Sequence, residues 1–136
     1  MRLDKDTVIC ISVAARPGNF GTTVHNAAYR ALGLNFAYKA FGITDIAGAI
    51  TGVRALGIRG CSVSMPFKEA VIEYLDELDT TAQSIGAVNT VVNDGGHLTG
   101  YNTDAYGARI VLQDLDMQHI DRVLLLGAGG AAKAIM

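Results

Sequence analysis

The run Gly127-Ala128-Gly129-Gly130-Ala131-Ala132 follows an apolar segment, Arg122 to Leu126, and leads into helix-forming residues. Gly127, Gly129 and Ala132 satisfy G-x-G-x-x-G/A in the strand-turn-helix setting that a dinucleotide fingerprint requires. Glycine is needed there because the turn is tight and a pyrophosphate must approach backbone N–H groups at a helix N-terminus. A tight strand-to-helix turn without ligand is the competing account. The spacing G-x-x-x-x-G-K-[ST] is absent, so a nucleoside-triphosphate loop fits less well. On the first account Gly127 through Ala131 hold a nicotinamide dinucleotide, and the chemistry is hydride transfer. The residue that separates NAD from NADP in such folds stands about 20 positions further on, past Met136.

Two charged residues upstream could move protons. Lys68 follows a strand end and Pro66 at the start of a predicted helix, where a cation gains nothing from the macrodipole, a placement that suits proton transfer. Asp104 follows Asn102-Thr103 at the start of another predicted helix, where dipole and free N–H groups favour a carboxylate. A solvated lysine and a helix-capping aspartate explain each residue taken alone. His25 reads as a helix-face histidine with a structural hydrogen bond. Tyr101 and Tyr106 flank Asp104 and suit either a cleft wall or packing. Cys10 and Cys61 each sit among small and apolar residues without a second Cys or a metal-spaced His, so they read as reduced, buried thiols and no metal site is expected.

These residues need a frame, and the hydrophobic pattern supplies one. Val8 to Val13 ends at Arg16-Pro17-Gly18 and reads as a buried strand, followed by a loop of small residues. Val24, Ala27, Ala28, Ala31 and Leu32 predict a helix from Thr23 that Gly33 stops. Phe36 to Phe41 is a second strand. Ile46, Ala49, Ile50, Val53 and Leu56 fall on one face of a helix opened by Thr44-Asp45 and stopped by Gly57, and Ile58 to Val63 is a third strand. Two such cycles imply parallel β-α-β crossovers. Phe67 to Leu78 reads as a third amphipathic helix, and Thr80-x-x-Gln83 as the capping box of a short one. Ala87 to Val92 and His97 to Tyr101 predict an antiparallel hairpin across Asn93 to Gly96. Ala105, Ala108, Leu112 and Leu115 mark a last helix, and the polar run Asp116 to Asp121 places a domain boundary near Met117.

The 136 residues are half hydrophobic and 18% charged, enough to bury a real core. The net charge is −2, with Lys and Arg scattered along the chain, so no electrostatic footprint for nucleic acid or an anionic membrane is visible. Thr7 to Ala15 is too short to span a bilayer, and Asp4-Lys5-Asp6 does not make a signal leader, so a cytoplasmic location is expected. The apolar helix faces are all required by the core and leave no signature of self-association.

Four runs stand in a set order: Ser62-Val63-Ser64-Met65-Pro66-Phe67-Lys68, Gly86-Ala87-Val88-Asn89-Thr90, Gly100-Tyr101-Asn102-Thr103-Asp104 and Gly127-Ala128-Gly129-Gly130-Ala131. From Ile11 onward this series resembles the shikimate dehydrogenase family. The resemblance implies an α/β fold: a three-layer α/β/α substrate-binding domain with a mostly parallel mixed sheet over residues 1–117, followed by the truncated start of a Rossmann domain over residues 118–136. It implies Lys68 and Asp104 as a catalytic pair, Asn89 and Ser64 as substrate contacts, and NADP as cofactor. The implied reaction is reversible hydride transfer between NADPH and the ring ketone of 3-dehydroshikimate. The family's Ser-x-Ser pair for the substrate carboxylate aligns with Asn19 and Gly21, ahead of His25-Asn26, so Asn19 and Thr22 become the candidate carboxylate contacts and altered affinity is implied. Phe67 stands where the family commonly has His. The chain thus looks like a divergent branch, with quinate oxidation or a non-catalytic module binding a small hydroxylated ring acid as the other readings. By itself, without the rest of the cofactor half, the chain is expected to be inactive.

Overall fold

The computed structural model describes residues 3–113 and 122–136. Its first strand, β1 (Val8–Ala14), pairs in parallel with β2 (Phe36–Gly42) on one side and β3 (Gly60–Val63) on the other. Helices α1 (Phe20–Ala31) and α2 (Ile46–Ala55) make the two crossovers. Each crossover stops where expected: Gly33 and Gly57 take φ of +65° and +62°, a region an L side chain rarely enters. After β3 come a 3₁₀ helix (Ala70–Tyr74), β4 (Glu77–Leu78), α3 (Thr80–Ile85), the hairpin β5 (Thr90–Asp94) and β6 (His97–Tyr101), then α4 (Asp104–Gln113) and α5 (Gly130–Ile135). The sheet order is β2-β1-β3-β5-β6-β4, with β3-β5 and β5-β6 antiparallel and the other pairings parallel. The α/β class with a mostly parallel mixed sheet is therefore as expected.

The core lies on one face of the sheet. Ile11, Val13, Cys61, Val63, Val91 and Leu98 point there and pack with Ile46, Ile50 and Val53 of α2. Strand alternation sends Ser12, Ser62 and Thr90, which are in register on three neighbouring strands, to the opposite face. On that face α1 lies against β2, and none of its residues is buried. Val24 and Leu32 remain exposed, so the expectation that the core consumes every apolar helix face fails for α1. Cys61 is buried while Cys10 is only half-buried. Burial, and secondarily the nearby Cys10, pushes the Cys61 thiol up to about 12.

Several elements differ from the sequence pattern. The supposed loop before Thr23 is the first turn of α1, because the Thr23 N–H reaches the Asn19 carbonyl at 3.0 Å. No α-helix runs from Phe67 to Leu78. Its apolar residues do reach the core, but its backbone is claimed elsewhere: Val88 N–H donates to the Lys68 carbonyl, and Asp76 N–H donates to Leu98. The cap of α3 is Asp79, whose carboxylate accepts from the Thr81 and Ala82 N–H groups. Strand pairing continues through Asn93 and Asp94, and the hairpin turns on Gly95 and Gly96, both at positive φ. Residues 122–126 join no ladder; a parallel strand needs neighbours, and the described residues offer none there. The boundary near Met117, Leu115 and the polar run 116–121 lie outside the described residues.

Candidate active site

Three chain segments distant in sequence meet at the edge where β1 and β3 end. Ser64 N–H donates to Val13 at 2.9 Å, Val63 N–H to Asn89 at 2.8 Å, and Asn89 N–H to Tyr101 at 3.0 Å. These backbone bonds set the ends of β1, β3 and β6 beside the start of β5, so the residues that follow β3 and β6 converge on Asn89, which precedes β5.

Lys68 and Asp104 are brought together. The Lys68 ammonium donates to Asp104 Oδ2 at 2.5 Å, with side chains 16% and 33% exposed. Partial burial strengthens such a charge-assisted bond while leaving a path for a ligand. The other carboxylate oxygen, Oδ1, accepts from Asn89 Nδ2 at 2.8 Å. Asn89 also donates to Thr103 Oγ1 and accepts from Thr90 Oγ1 and the Thr103 N–H. All four hydrogen-bonding positions of its amide are thus engaged, and a substrate contact requires one to be exchanged.

Asn102 was not singled out by the sequence, yet it sets the aspartate. Only 5% exposed, it donates to the Ala87 carbonyl at 2.9 Å and accepts from the N–H groups of Asp104 and Ala105. The Asn-x-Asp spacing before a helix was the available signal, because an Asn side chain readily caps the N–H two residues on. Asp104 itself therefore begins α4 without having to cap it, and its carboxylate is free for Lys68.

The glycine turn packs directly against Lys68. A Cβ at Gly130 would meet Ala87 Cβ at 3.0 Å and Lys68 Cβ at 3.2 Å. Gly127 takes φ +123°, and Gly129 caps α5 with no side-chain bond to its N–H groups. Together with Ala131, Pro66 and Lys68 they line a cavity of about 390 Å³, while Ala128 is exposed at the turn. Lys133 of α5 reaches Glu69 at 2.7 Å and ties the two segments together.

A second cavity of about 240 Å³ lies on the other side of Ser64, bounded by Ser12, Arg16, Gly21 and Tyr38. Of the candidate substrate contacts only Ser64 lines it. Asn19 is exposed at the N-cap of α1 without a capping bond, and Thr22 lies within the first turn. His25 stacks on Tyr38, with ring centroids 4.3 Å apart, a packing contact in place of the structural hydrogen bond the sequence suggested. Among the described residues there is no group of three or more His, Cys, Asp or Glu able to hold a metal, and no helix long and apolar enough to cross a membrane.

Residues 20–91 match the family model of the shikimate dehydrogenase substrate binding domain. A shikimate dehydrogenase-like protein from Haemophilus influenzae is 52% identical over 134 residues, covering 98% of this chain and 49% of that protein. A shikimate dehydrogenase (NADP(+)) from Pyrococcus furiosus is 50% identical over 113 residues, covering 82% of this chain and 42% of that protein. Among solved structures, the shikimate 5-dehydrogenase of Thermus thermophilus in complex with shikimate superposes with a TM-score of 0.84 at 33% identity, covering 94% of this chain and 50% of that one. The chain spans about half the length of the curated relatives it matches.

Proposed function

Because the chain belongs to the shikimate dehydrogenase family through its substrate-binding domain, we propose that it forms the substrate half of an NADP-dependent oxidoreductase interconverting shikimate and 3-dehydroshikimate. Residues 1–117 form that half, and residues 118–136 begin the dinucleotide unit. The observation that carries the proposal is the Lys68–Asp104 contact at 2.5 Å, braced by Asn89 and abutted by the glycine turn. The donor set at the turn fits a pyrophosphate: the first N–H groups of α5 carry no side-chain cap, no acidic residue lies in its first turn, and the positive φ of Gly127 suits glycine alone. Gly127 to Ala131 would hold NADP there. The cofactor, when bound, accepts or returns the hydride of the ring carbinol carbon.

The remaining work falls to this chain's own side chains. In the direction of oxidation the substrate hydroxyl loses its proton to the Lys68–Asp104 pair as the carbon loses hydride; in reduction the same pair returns the proton to the alkoxide. Asp104 holds the Lys68 ammonium in line and compensates its charge. Asn89 presents Asp104 and reaches a ring hydroxyl by exchanging its contact with Thr103. Ser64 contacts the ring from the neighbouring cavity, with Asn19 and Thr22 on the adjoining turn.

The test uses a protein in which residues 1–136 continue into a complete dinucleotide-binding half, assayed for NADP reduction with shikimate and with quinate. Shikimate should be oxidised. Lys68→Ala and Asp104→Ala should each lower kcat by about two to four orders of magnitude, with circular dichroism unchanged. Parental rates in both variants would remove the pair from the chemistry. Turnover of quinate alone would reassign the substrate, and the absence of turnover with intact ligand binding would favour a non-catalytic module. Residues 1–136 alone should show no turnover.

A further inference from the structure

Lys68 shares its turn with a second charged residue, Glu69, which takes no part in the contact with Asp104. The backbone of both residues is fixed: Val88 N–H donates to the Lys68 carbonyl at 2.8 Å, and Ile72 N–H to the Glu69 carbonyl at 3.2 Å. Consecutive residues of a turn do not face each other, and here they reach different partners. The Lys68 ammonium donates to Asp104 at 2.5 Å, while Glu69 Oε2 accepts from Lys133 Nζ at 2.7 Å, across 64 residues of sequence.

Lys133 is not the only residue of α5 to meet this turn. Gly130 stands three positions earlier, on the same face of the helix, and a Cβ there would come within 3.2 Å of Lys68 Cβ and 3.0 Å of Ala87 Cβ. One face of α5 thus touches Lys68 at its stem and the next residue, Glu69, at its carboxylate. Gly130 sets how near the helix approaches, and the ion pair sets how it is turned about that contact. The side chains of Lys133 and Glu69 are 37% and 48% exposed. An ion pair so open to water adds little to stability, so what the site gains from it is orientation.

We propose that Glu69 and Lys133 are positioning residues: their ion pair orients the helix of the glycine turn against the Lys68 turn, so that hydride transfer and proton transfer address the same carbinol. This rests on the proposed function for the reaction and adds the residues that align its two halves. Both act through Lys68 and α5, not by contact with a reacting atom. A displacement of the two halves by a fraction of an ångström is felt in the rate, because hydride transfer requires the reacting atoms in near-attack geometry.

The experiment is a mutant cycle in the protein whose residues 1–136 continue into a complete dinucleotide-binding half. It measures kcat for NADP reduction with shikimate, beside the calorimetric Kd of shikimate without cofactor. Glu69→Ala and Lys133→Ala should each lower kcat about two- to fivefold, the scale of an exposed ion pair. The exchanged pair, Glu69→Lys with Lys133→Glu, should recover the parent rate. The shikimate Kd and the unfolding midpoint should match the parent in all variants. The inference is overturned if both alanine variants turn over as the parent does, or if the exchanged pair is no faster than they are. It is also overturned if the shikimate Kd and the midpoint worsen together with kcat, which marks a structural role. Failure of the proposed function reads differently: the parent itself would not reduce NADP with shikimate, and the inference would fall with it.

Discussion

At the scale of residues, Asn102 shows how a site depends on groups that never meet the substrate. Its amide spans the Ala87 carbonyl and the first N–H groups of α4. Asn102→Ala would leave these buried polar groups unpaired, at a cost of about 1–3 kcal/mol. It should also loosen Asp104, so a lowered urea midpoint should come with weaker turnover in the complete enzyme. An unchanged midpoint would show that water replaces the amide. Lys68, Asn89 and Asp104 were legible because an ordered series of short runs carries them. Asn102 was not: it lies inside one of those runs, but its amide acts through the Ala87 carbonyl, which only the fold brings to it. The close approach of Tyr38 to Gly21, seventeen residues away in sequence, is likewise visible only in the fold.

At the scale of elements, periodicity located the core residues of Phe67 to Leu78 but not their backbone. Val71 lies deep in the core, with Phe67, Leu75 and Leu78 packed against it, the set a helix would also present. The choice was made by partners outside the segment, since the Leu98 carbonyl accepts from Asp76 and draws the chain into β4. Gly100 records how closely that short strand is seated on β6. A Cβ there would lie 2.6 Å from Leu75, 2.8 Å from Val88 and 2.9 Å from Leu78. Gly100→Ala should therefore destabilise the fold by about 1–3 kcal/mol through overpacking, read as a fall in the urea midpoint. A midpoint equal to the parent's would mean that β4 can withdraw freely. The apolar run 122–126 makes the complementary point: apolar content marks a strand, but only neighbouring strands make one.

At the scale of the whole molecule, one carboxylate joins α2, the 3₁₀ helix and β6. Asp76 accepts from the Arg54 guanidinium at 2.7 Å and from the Leu98 N–H at 2.7 Å. Arg54 also donates to the carbonyls of Tyr74 and Gly96. The Arg54 hydrogen bond, then that of Leu98, holds the Asp76 carboxyl below its ordinary value of 3.8. A lowered folded-state value means the unfolded chain binds the proton more readily, so the contribution is complete above the ordinary value and fades as pH falls through the lower one. Stability should thus decline as pH falls below that ordinary value of 3.8, and Asp76→Asn should flatten part of that decline when urea midpoints are compared. Identical acid profiles for parent and variant would remove Asp76 from the account.

The contact between Gly21 and Tyr38 also constrains how this site can change by mutation. A serine at position 21 would place its Cβ within 3.4 Å of the phenol, a tight approach in a stacked and clamped neighbourhood. A side chain at position 21 therefore requires the Tyr38 ring to give way by a few tenths of an ångström, which ties the two positions to one another in any change of this surface.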